Sequence, residues 1–221
     1  MKAYPVIYCR IKNNDFRSHL LFAPDCLTGN DFLFEAVSES LMDLNSRTGA
    51  RRLIVSLKDK VIVGVSGYAR DLAHDNTDTP SELMLCGSRP QLVFSGICFE
   101  RKNDEIVTFP PMEVFWNNYL SLVNSIWNLP ENDPVLESEI NTNHTEQNLI
   151  VFNIPERDSE IVEKSCINCS KEEEMFFIAS LLQNKYWMNK EYSFCSNLSS
   201  QEMFKDTQFM IGTVRAERET K

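Results

Sequence analysis

Two cysteines three residues apart, Cys166 and Cys169, and one acidic loop, Arg70–Glu82, are the places where residue type and spacing could support chemistry. A C-x-x-C pair serves redox exchange or half of a zinc site. Redox exchange needs a thiolate favoured by a helix N-terminus. The pair does precede a helical pattern, but Glu172, Glu173 and Glu174 fill its first turn and oppose a second negative charge. A structural zinc needs four ligands. Cys195 and His144 could complete the set, yet no second C-x-x-C or H-x-x-x-H is present. The remaining reading is two cysteines in a polar connection, metal-free and dispensable for folding, and that is the expectation. The loop carries Asp71, His74, Asp75, Asp78 and Glu82 within thirteen residues, enough oxygen and nitrogen donors for a divalent cation. It defines an alternative function, a metal-dependent enzyme working at Asp71, His74, Asp75 and Asp78. Against it, the chain has only three histidines, His19, His74 and His144, and the loop lacks EF-hand spacing. A solvated loop is expected.

Other catalytic signatures are missing. No G-x-S-x-G elbow occurs, and no Cys-His pair carries a local signature. Gly64-Val65-Ser66-Gly67 is neither a dinucleotide fingerprint nor a Walker loop. Its G-x-x-G matches a KH loop literally, but that loop joins two helices, whereas this one lies inside a β-branched run. Glycine within a strand marks a bulge or a close approach. Gly64, Gly67 and Gly96 are therefore expected to make room for a helix carrying Trp116 and Trp127 to cross the sheet.

Charge points to binding rather than catalysis. The chain carries a net charge of −10, of which −8 falls on residues 130–221. Such acidity repels phosphate backbones, so direct nucleic-acid binding is disfavoured. Glu131–Glu174 concentrates twelve acidic residues against three basic ones. The expected role is docking on a basic surface of a partner protein through Glu131, Asp133, Glu137, Glu139, Glu172, Glu173 and Glu174. An acidic competitor of nucleic acid for a basic partner is the second alternative. Of the seven scattered cysteines, with no export signal, most read as free thiols in a reducing compartment. No apolar run approaches the ~20 residues of a membrane span. The expectation is a cytoplasmic protein that needs no cofactor.

The elements that must carry these residues read as α+β. Tyr4–Lys12 alternates as a strand, and Ser18–Pro24 reads as a second one. Helical spacing follows from an Asn30 cap to a Gly49 terminator. Leu53–Leu57 and Val61–Val65 flank a polar turn as a hairpin, Pro90–Glu100 is a further strand, and Pro111–Asn128 is the clearest helix. The order β-β-α-β-β-β-α predicts an antiparallel sheet with helices packed on one face, as in longin and profilin-like topologies. Residues 1–129 form this domain, 130–147 an acidic linker, and 148–221 a smaller β-α-β extension. In the extension, Leu149–Ile154 reads as a strand. A capping box at Ser170 opens a helix buried through Met175, Ile178, Ala179, Leu182 and Tyr186, and a second box at Ser199 opens a short one. Thr207–Arg215 is the last strand, free to pair with Leu149–Ile154 or to join the first sheet.

The run VIVGVSGYARDL, then SRPQLVFSGICFE, then FPPMEVFWNNYLSLV, covering residues 61–127, resembles accessory components encoded beside NTPases and proteases in bacterial antiviral conflict systems. In those, a Gly-Arg-Pro, aromatic and glycine strand precedes a helix with a central aromatic. Gly87-Ser88-Arg89-Pro90 departs by one inserted residue. The resemblance implies a non-catalytic accessory or regulatory subunit in an antiviral defence complex.

Overall fold

The computed structural model describes residues 3–12, 20–44, 49–73, 81–86, 89–101, 107–128, 164–184, 187 and 190–215. The fold is α+β, built on a seven-stranded sheet. Its strands are β1 (Ala3–Cys9), β2 (Arg51–Ser56), β3 (Lys60–Tyr68), β6 (Leu92–Glu100), β7 (Ser165–Cys169), β8 (Tyr192–Leu198) and β9 (Ile211–Arg215), in the spatial order β1-β6-β3-β2-β8-β9-β7. A small separate ribbon pairs β4 (Leu85–Cys86) with β5 (Arg89–Pro90). The β1, β6, β3, β2 and β8 neighbours are antiparallel, whereas β9 runs parallel to both β8 and β7. The last strand therefore joins the first sheet, through β8.

The central strands are buried on both faces. In β3, Val61, Val63 and Val65 face one core, while Ile62 faces the other. A strand apolar on both sides needs cover on both, so the single-sided layer expected from the element order becomes three layers. One face carries α2 (Ala69–Ala73), α3 (Ser81–Met84), α4 (Met112–Ile126) and α5 (Lys171–Gln183). The other carries α1 (Asp31–Ser40) and α6 (Gln201–Lys205). In α4, Phe115, Trp116, Tyr119, Val123 and Ile126 are buried, as the 3–4 spacing predicts.

Helix α1 starts where expected, with the Asn30 side chain accepting from the Leu33 N–H at 2.9 Å. It ends well before Gly49. The terminator is Arg51, fully buried, whose guanidinium donates to the carbonyls of Ser40 (3.1 Å), Met42 and Asp43 (3.4 Å). A cation on the last carbonyls complements the negative end of the helix dipole. Burial still pulls the Arg51 pKa below its usual value.

The second expected strand is reduced to a bridge, Ile7 against Phe22, along the outer edge of β1. The Leu149–Ile154 strand lies outside the described residues. The short helix is capped by Ser200 rather than Ser199, with its side chain accepting from the Met203 N–H at 3.0 Å.

The glycines do serve close approach, but not by the tryptophan helix. Gly64 and Gly96 stand directly opposite each other in β3 and β6. The Phe94 ring lies over both, on the face away from α4. A Cβ on Gly64 would sit 2.6 Å from that ring and 2.8 Å from the Gly96 Cα. Phe94 is fully buried and has nowhere to move. Gly64→Ala is expected to cost about 1–3 kcal/mol by overpacking, read as a lower denaturation midpoint. Shortening the ring with Phe94→Leu should recover part of the loss. A midpoint equal to wild type would refute the contact.

Candidate interaction surface

The C-x-x-C residues lie in a strand, β7, rather than in a polar connection, and the pleat decides what they can do. Cys166 is half-buried and packs against the core on the α1 and α6 face of the sheet. Cys169, three positions on, points to the α5 side, within hydrogen-bonding reach of the Thr213 hydroxyl. Their Cα atoms are about 10 Å apart at strand rise, beyond the ~7 Å limit for a disulfide. Burial raises the pKa of both thiols above the ordinary value, and Glu174 adds to the rise at Cys169. Cys195 shares the Cys166 face, but β9 runs between them. Both stand level with Gly212, over which the Phe204 ring and Leu198 close. Cys195 is fully buried, and its thiol pKa is pushed up to about 12 by desolvation. The candidate ligands Cys166, Cys169 and Cys195 are thus not brought together, and His144 lies outside the described residues. Among the described residues, no three His, Cys, Asp or Glu side chains gather as a metal site.

Thiol accessibility checks this arrangement. Cys26 is exposed, whereas Cys9, Cys98, Cys169 and Cys195 are buried. Maleimide labelling of the native chain, mapped by peptide mass spectrometry, should modify Cys26 first, Cys166 more slowly, and those four only on unfolding. Labelling of Cys195 at the rate of Cys26 would contradict the packing of β8.

Of the four residues of the alternative metal site, Asp71 alone lies within the described residues. Asp71 sits in α2, with an oxygen 3.6 Å from the Arg70 guanidinium Nε. His74, Asp75 and Asp78 lie outside the described residues, as do Glu131, Asp133, Glu137 and Glu139.

The three glutamates at the start of α5 separate into three environments. Glu172 is exposed. Glu173 is exposed as well, but its carboxylate accepts the Ser170 N–H at 2.7 Å in a complete capping box, which holds its pKa below the usual value. Glu174, expected on a docking surface, is instead turned inward. Its side chain is 9% exposed and accepts from Arg52 Nη1 at 2.8 Å and from the Thr213 hydroxyl at 3.2 Å. A bulge in β8 prepares this place. Asn197 takes a left-handed φ of 56°, and its N–H donates to the Thr213 hydroxyl at 3.1 Å. The Arg52 N–H donates to Ser196 Oγ at 2.8 Å. Glu174 therefore ties α5 to strands β2 and β9.

Its inward turn rotates the helix. Glu174, Ile178, Leu181 and Leu182 form the buried face, leaving Met175 40% and Phe176 48% exposed. Ile167 of the adjoining β7 is 36% exposed. With Met42, these are the exposed large apolar side chains among the described residues, so three of four belong to one β7–α5 unit. One sequence signal foreshadows this. Met175-Phe176-Phe177-Ile178 is an unbroken apolar run, and residues advancing 100° each cannot all face one core. The outer edge of β7 also has no partner strand among the described residues, whereas the other sheet edge is bridged by Phe22.

The fold thus defines the class, an α+β sheet protein, and no helix among the described residues is long and apolar enough to cross a membrane. No family model matches this chain, and comparison with curated proteins and with solved structures finds no match.

Proposed function

We propose that this protein is a non-catalytic accessory or regulatory subunit that binds a partner protein with a basic surface, acting in the cytoplasm and in a bacterial antiviral defence complex. The observation that carries the reading is the β7–α5 surface. Ile167, Met175 and Phe176 are exposed there beside Glu172, at the end of the Glu131–Glu174 stretch, whose twelve acidic against three basic residues nearly match the net charge of the whole chain. Exposed apolar side chains gathered on one β7–α5 unit favour an interaction site, and acidic residues in the same chain raise the encounter rate with an oppositely charged partner.

The test begins with the partner cross-linked to the protein in its native host, identified by mass spectrometry and then purified. Association is measured with two variants. Replacing Glu131, Asp133, Glu137 and Glu139 by Gln or Asn should slow association and flatten its salt dependence. Phe176→Ser should leave the association rate and folding in place but raise the dissociation rate about tenfold or more, the mark of a buried aromatic anchor. If neither variant changes either rate, the surface is not the docking site and the proposal falls.

A further inference from the structure

We draw no further inference here: the strongest candidate, the outer edge of β7, which has no partner strand among the described residues, with the exposed Met175 and Phe176 of α5, belongs to the surface already described, and nothing in the structure shows what covers it.

Discussion

Trp116→Ala is expected to lower the unfolding free energy by about 3–5 kcal/mol, the range for truncating a buried tryptophan. Trp116 is 2% exposed in the core between α4 and the sheet, with its ring centroid 5.3 Å from that of Tyr119. The helix beneath is fixed at two further points. Ser95 Oγ of β6 donates to the Phe115 carbonyl at 2.7 Å, and the Tyr119 hydroxyl donates to the Leu83 carbonyl at 2.7 Å. Because α4 cannot slide to fill the space, the truncation should leave a cavity. For a chain of this size each kcal/mol moves the melting temperature by roughly 2–4 °C. Trp116→Phe is the matched control. It keeps a ring and removes an indole N–H that has no acceptor among the described residues, so it should cost much less. A melting temperature unchanged in Trp116→Ala would place the side chain outside the core.

The second large effect is expected at Glu174. Glu174→Ala strands the Arg52 guanidinium and the Thr213 hydroxyl, both of which use this carboxylate. Breaking a buried pair from one side costs about 3–5 kcal/mol. The Arg52 side chain keeps 19% exposure, so water offsets part of the loss and a value of about 3 kcal/mol is expected. Replacing both partners, as Arg52→Met with Glu174→Leu, should be far less damaging, because no charge is left unpaired. Chemical denaturation of the two single variants and the double variant measures the coupling. Additive losses would show that the two side chains do not act as a pair.

The elements that could be read from the sequence are those whose cause is local. The helix α4 has prolines before its first turn and apolar residues at 3–4 spacing, and the β2–β3 hairpin has two β-branched runs around Lys58-Asp59. The start of α1 was legible because Asn30 lies three residues from the N–H it caps. Its end was not, because the guanidinium that closes it arrives from Arg51, eleven residues after Ser40. The strand β7 was missed for a related reason. It is five residues long, half polar, and pairs in parallel with residues 211–215, far along the chain. Parallel pairing between such distant segments leaves no turn signal to read. The acidic density of the candidate surface was visible in composition. Which glutamates face outward was not, because Glu174 is turned inward by Arg52, 122 residues away. The same long-range tie selects Met175 and Phe176 as the exposed ones, so the unbroken apolar run Met175–Ile178 shows locally that part of it must face outward but not which part.

The seam between β2 and β8 has a consequence for how the chain is made. Arg52 and Ser196 meet there across 144 residues, and β2 reaches its second neighbour only through β8. While the chain is emerging, β1, β6, β3 and β2 can assemble, but one flank of β2 keeps its ladder groups unsatisfied until residues 192–198 arrive. Closing so distant a contact is slow, since loop-closure entropy must be met before the pairing repays it. An unfinished sheet with an open, apolar flank invites pairing with another nascent chain. Within Arg51–Ser56 the two arginines stand at the start, and Leu53-Ile54-Val55 carries no charge to discourage it. The vulnerable moment for this protein is thus its own synthesis, and production of the C-terminal third sets when that vulnerability ends.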